Sequence, residues 1–174
     1  MSAIHNKRVA VLASDRAVHR AFGWMHLHEA QMRRWQMEFL GIAAPPFGEA
    51  ERAAWFCERF TEMGLADARL DAAGNAIAEL QAGDGGPVVM LSAHLDTVFP
   101  AGTDCEPREE EAKILGPGAC DNGAGLTALL GLAAALKYAE IVPGCTIVFA
   151  ANVGEEGEGD LRGMRHLFSA LGSA

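Results

Sequence analysis

Two short, almost wholly apolar runs constrain this chain more than any other feature. They are Val88–Ala93 (VVMLSA) and Thr146–Ala151 (TIVFAA). Runs of this length suit strands and fall far short of the roughly 20 apolar residues that a membrane helix needs. Because they lack polar alternation, they read as strands covered on both faces, the signature of a layered α/β fold. Between them, Asn122–Tyr138 contains LTALLGLAAAL, apolar nearly all round, and reads as a buried helix.

The remaining segments fit the same scheme. Ser14-Asp15 caps a short helix over 16–22 that Gly23 stops, and a second helix runs from Trp24 to Leu40, with Gly41 as its stop. Ala44-Pro45-Pro46-Phe47-Gly48 is a rigid loop, since two prolines cannot sit inside a helix. Glu49–Met63 is helical, with Ala53, Phe56, Cys57, Phe60 and Met63 on one stripe and Gly64 as its cap. Asp67–Leu70 and Ala76–Leu80 read as strands about a turn at 71–75, and Asp104–Glu111 as an acidic, solvated loop. Lys113–Leu115 is a short extended piece, and Leu161–Leu171 forms the last helix. The expected fold is a three-layer αβα arrangement, a mixed and mostly parallel sheet with helices on both faces. In such folds the active site lies beyond the carboxyl ends of the strands.

Composition excludes several function classes. With 14 Lys+Arg against 23 Asp+Glu, a net charge of −9 and no basic run, the chain is a poor ligand for nucleic acid or anionic membrane. The N-terminal VAVLA is too short for the apolar core of a signal peptide, so a cytoplasmic location is expected. The four cysteines, Cys57, Cys105, Cys120 and Cys145, form no C-x-x-C pair and are expected to be free thiols. No G-x-S-x-G elbow is present, which sets a serine hydrolase aside.

Three polar segments carry the chemistry. In Ser92-Ala93-His94-Leu95-Asp96-Thr97, side chains two apart on extended backbone point the same way, so His94 and Asp96 converge. An imidazole there is a metal ligand that a neighbouring carboxylate orients. In the glycine-rich stretch 116–125, Asp121 stands just before the buried helix and suits either an N-cap or a carboxylate bridging two metals. In Asn152-Val153-Gly154-Glu155-Glu156, adjacent carboxylates repel each other unless cations compensate. Each segment alone also fits an ordinary role: strand-end His, helix cap, acidic surface loop. Together they supply one imidazole and four carboxylates, a donor set for zinc, cobalt or manganese. Gly123-Ala-Gly125-Leu-Thr-Ala128 fits G-x-G-x-x-A and keeps a nucleotide-binding oxidoreductase as an alternative. Against it, no strand leads directly into the motif, and Asp121 stands where it would repel a phosphate.

SAHLDTVFP at 92–100, LGPGACDNGAGLTALL at 115–130 and NVGEEGEGDLRG at 152–163 resemble the dinuclear zinc hydrolases that include aminoacylase, acetylornithine deacetylase, succinyl-diaminopimelate desuccinylase, carboxypeptidase G and peptidase T, peptidase family twenty of the metallopeptidases. IAAPPFGEAERA, from Ile42 to Ala53, also looks like that family's N-terminal substrate-side loop. The resemblance implies that His94 ligates one metal and Glu156 the other, that Asp121 bridges both, that Asp96 orients His94, and that Glu155 is the general base. It implies two Zn2+ ions (Co2+ or Mn2+ as substitutes), a cis peptide after Asp121, and hydrolysis of amide bonds in small peptides or N-acyl amino acids.

Members of that family are about twice this length, so the resemblance makes 1–174 the N-terminal portion of a catalytic domain. A lid or dimerisation domain and the rest of the catalytic domain lie outside it, and the oligomeric state is therefore left open. A further acid and a further His ligand are expected beyond residue 174, His166 being too close to the Glu pair to serve. Each metal then keeps two protein ligands here, where catalytic zinc takes three. A non-catalytic remnant with weak metal binding is the alternative that this count leaves.

Overall fold

The computed structural model describes residues 3–83 and 86–171. In chain order the elements are α1 (Ala3–Ala13), α2 (Arg16–Leu27), α3 (Glu29–Leu40), α4 (Ala50–Glu62), β1 (Ala66–Leu70), β2 (Ala76–Leu80), β3 (Val88–His94), β4 (Arg108–Glu110), β5 (Lys113–Leu115), α5 (Gly123–Tyr138), β6 (Thr146–Asn152), a 3-10 turn (Gly157–Gly159) and α6 (Arg162–Leu171).

Asp15 caps α2 as expected, its carboxylate accepting from the N–H groups of Ala17 and Val18. The helix then runs through Gly23 and breaks instead at His28. Glycine inside a helix costs only about 1 kcal/mol, too little to force a stop. His28 turns out of helical geometry, both its N–H and its ring Nδ1 lying against the Trp24 carbonyl. α1 was not anticipated from the sequence, and its Val9, Val11 and Leu12 are exposed.

The main sheet has the order β1-β2-β6-β3. It is mixed, as expected, but among the described residues not mostly parallel: β3–β6 is a parallel pair, and β1–β2 and β2–β6 are antiparallel. The local reason is the turn at Asp71–Asn75, which folds β1 and β2 into a hairpin, and a hairpin is necessarily antiparallel. β3 and β6 are joined through α5, the helical crossover that a parallel pair requires.

Helices cover both faces. On one side Ala76, Ala78, Phe149 and Ala151 join the cluster formed with α2–α5. An aromatic chain ties that layer together: Phe39 to Phe56 at 5.2 Å, Phe56 to Phe60 at 6.3 Å and Phe60 to Phe149 at 6.5 Å between centroids. On the other side Leu167 of α6 packs on Ile77 and Ala150. The expectation of burial for the Val88–Ala93 run holds only in part. β3 is an edge strand, and Val88 and Val89 are 55% and 44% exposed. β4, inside the expected acidic loop, pairs with β5 as a separate exposed hairpin.

β3 and β6 end side by side, His94 in register with Asn152. Both residues are buried, and the polar segments that follow them leave the sheet at the same place.

Candidate metal centre

His94 is the last residue of β3. Its Nε2 lies 3.0 Å from Asp121 Oδ1, and its Nδ1 lies 2.9 Å from the Asp96 carbonyl oxygen. The Asp96 carboxylate comes no closer to Nδ1 than 3.7 Å, so the orienting contact runs mainly through the Asp96 backbone. The carboxylate itself, fully buried, accepts from two successive N–H groups, Glu155 at 2.9 Å and Glu156 at 2.8 Å. Asp96 thereby joins the end of β3 to the segment after β6.

Burial pulls the His94 pKa down, but Asp96 and Asp121 outweigh it and hold the ring up at about 9. Burial pushes the Asp96 carboxyl up, and His94 with the Glu155 and Glu156 N–H groups brings it below the usual carboxylate range.

Asp121 is exposed, and the peptide bond from it to Asn122 is cis, as the resemblance implied. The capping position of α5 is Asn122, so Asp121 does not spend its carboxylate on the helix. Glu156, half-buried, completes the group: ligand atoms of His94, Asp121 and Glu156 all lie within 4.8 Å of one another. Zinc takes its ligands at about 2.0–2.2 Å, so ligand atoms this close to one another are within reach of divalent ions that share the central carboxylate of Asp121. One imidazole and two carboxylates, with the imidazole held through its other nitrogen, are a donor set that fits a divalent transition metal. Glu155 lies outside this triad, and among the described residues its carboxylate has no hydrogen-bond or ion-pair partner. A cleft of about 580 Å3, lined in part by Met32, Gln36, Ile114, Ala119 and Cys120, is bounded by α3, β5 and the start of α5.

The glycine motif at 123–128 forms the first turns of α5, and the residues before it are a turn rather than a strand. The dinucleotide geometry is therefore missing.

Sequence reasoning missed two supports of the site. Arg52 is 2% exposed. Its guanidinium donates to the carbonyls of Ile42 (Nε, 2.9 Å) and Leu95 (Nη1, 2.8 Å), and so grips the peptide between His94 and Asp96. Burial lowers its pKa to about 10, with Cys105 and Asp96 acting against the drop. The signal was present: Arg52, Phe56 and Phe60 are spaced four apart, a charge on the buried stripe of α4. Asn75, read only as a turn residue, is fully buried. It accepts from the Val153 N–H at 2.9 Å and donates to the Gly163 carbonyl at 3.1 Å, bracketing the segment that carries Glu155 and Glu156.

Known proteins resemble this chain in sequence and fold. A Pyrobaculum aerophilum protein named as a LysW-lysine/LysW-ornithine hydrolase is 35% identical over 122 residues, covering 68% of this chain and 32% of its own. The crystal structure of aminopeptidase PepT from Bacillus cereus is 28% identical with a TM-score of 0.65, over 77% of this chain and 38% of that one. Bacillus subtilis YXEP, described as a dinuclear metal-binding peptidase of the M20 family, shares the fold at a TM-score of 0.58 and 16% identity, over 75% of this chain and 36% of that one. The chain thus spans between about a third and two fifths of the length of these relatives. The matching family carries a different number from the M20 group that the motifs resemble, although solved structures of that group share the fold. The profile of peptidase family M28 covers residues 75–174, more than half of the sequence and every residue of the triad, and the chain belongs to that family.

Proposed function

We propose that this chain supplies part of the active centre of a metal-dependent hydrolase of amide bonds, acting on small peptides or N-acyl amino acids. The observation that carries the reading is the convergence of His94, Asp121 and Glu156, drawn from three separate segments, within 4.8 Å. In this reading His94 would hold one of two divalent ions such as zinc, Glu156 would hold the other, and Asp121 would serve both. A bound ion of this kind polarises a carbonyl and lowers the pKa of water to about 7. Asp96 fixes the imidazole and the backbone of the Glu pair. Glu155, unpaired beside the triad, accepts a proton from the attacking water and returns it to the leaving amine. Two protein ligands per ion fall one short of a catalytic zinc site, so one further ligand per ion comes from outside these 174 residues. The aminopeptidase name of the B. cereus relative supports the peptide side of the substrate class.

The test is Glu155→Gln. Zinc uptake, followed by calorimetry, stays at the wild-type level, while hydrolysis of a tripeptide or an N-acyl amino acid by the protein carrying its full ligand set falls by several orders of magnitude. Undiminished turnover rejects Glu155 as the base.

A further inference from the structure

Glu49 is 2% exposed, although it lies at the start of a helix that it does not cap with its side chain. Its two oxygens are spent elsewhere. Oε1 accepts from the Gly154 N–H at 3.0 Å, and Oε2 accepts from Arg162 Nη2 at 2.6 Å. Arg162 also donates to the Ala73 carbonyl at 3.0 Å, and its guanidinium stacks on Phe47, 5.0 Å from the ring centroid.

Gly154 immediately precedes the Glu pair. It has a φ of 64°, and a Cβ there would lie 2.6 Å from Arg162 Cγ. Glycine is therefore required both by the left-handed backbone and by the Arg162 side chain pressed against it. Three consecutive N–H groups, at Gly154, Glu155 and Glu156, thus point into two buried carboxylates: Glu49 takes the first and Asp96 the other two. Asp96 belongs to the strand-end segment that carries His94. Glu49 is the N-cap residue of α4, and among the described residues it has no other link to the triad. A buried carboxylate with a charged partner and an N–H donor is costly to place and well held once placed.

We propose that Glu49 is a positioning residue: with Arg162 it clamps Gly154 and so sets where Glu155 and Glu156 project. The inference rests on the reading of Glu156 as a metal ligand. Groups that hold ligands in place typically change metal affinity by 10–100-fold when removed.

The experiment is a zinc titration of the 174-residue chain by calorimetry, below the melting temperature of every variant, comparing wild type, Glu49→Ala, Glu49→Gln, Glu156→Gln and the core variant Phe60→Leu. Glu49→Ala weakens zinc binding by about tenfold. Glu49→Gln, which keeps an acceptor for Gly154, lies between it and wild type and decides the matter if Glu49→Ala does not fold. Phe60→Leu loses stability but keeps wild-type affinity. Wild-type affinity in both Glu49 variants, alongside weakened binding in Glu156→Gln, overturns the clamp alone. An equal loss of affinity in Phe60→Leu also overturns it, because the effect is then one of general stability. Wild-type affinity in Glu156→Gln overturns the metal-ligand reading and the clamp with it.

Discussion

β3 and β6 are neighbours, parallel and in register, and their sequences look alike, yet they occupy different environments. Phe149, Ala150 and Ala151 of β6 are fully buried between helices on both faces, whereas β3 begins with exposed Val88 and Val89 and becomes buried only at Ala93 and His94. An apolar run records what a strand can tolerate as neighbours, not which neighbours are present in the structure at hand. The buried end of β3 is the end that carries the site, so covering and chemistry coincide at one edge of the pair.

This contrast can be broken or sharpened by substitution. The largest effect belongs to the interior. Phe149→Ala removes a fully buried ring that packs on Phe60 and lowers unfolding free energy by about 3–5 kcal/mol in urea titrations. Asp96→Asn comes next. It leaves the backbone contact to His94 and weakens the hold on the two N–H groups of the Glu pair, and zinc affinity measured by calorimetry falls by about tenfold. pH acts more gently in chelator-treated protein. The folded pKa of His94, about 9, lies above its ordinary 6.5. Its contribution to stability is therefore full below about pH 6.5 and is lost as pH rises through about 9. The urea midpoint of wild type falls across that window, and that of His94→Gln does not. Smallest of all is Val89→Ala at the open start of β3, which costs less than about 0.5 kcal/mol. A cost comparable with that of Phe149→Ala would mean that the edge is covered in solution.

Helices α4, α5 and α6, both apolar runs and the three polar segments were legible in the sequence because each rests on local pattern: spacing of apolar residues, caps, and polar residues where a strand stops. The features that escaped depend on partners far along the chain. The helix break at His28 rests on a side chain competing for the Trp24 carbonyl, which a rule based on glycine at position 23 does not detect. The turn at Asp71–Asn75 makes β1–β2 antiparallel locally, but the second antiparallel pair joins β2 to β6, about seventy residues away, and no local pattern reports it. The segment Ile42–Ala53 was legible as a rigid loop leading into a helix, but nothing local marks its Arg52 and Glu49 as buried tethers, one on the His94–Asp96 segment and one on the Glu155–Glu156 segment.

The most direct test of the account is the position of the ions themselves. Crystals of the chain soaked in zinc, with data collected at the zinc absorption edge, should show two anomalous peaks, one about 2.0–2.2 Å from His94 Nε2 and one at that distance from a Glu156 carboxylate oxygen, with the Asp121 carboxylate against both. A zinc peak held by other residues, with these three side chains left unligated, would contradict it.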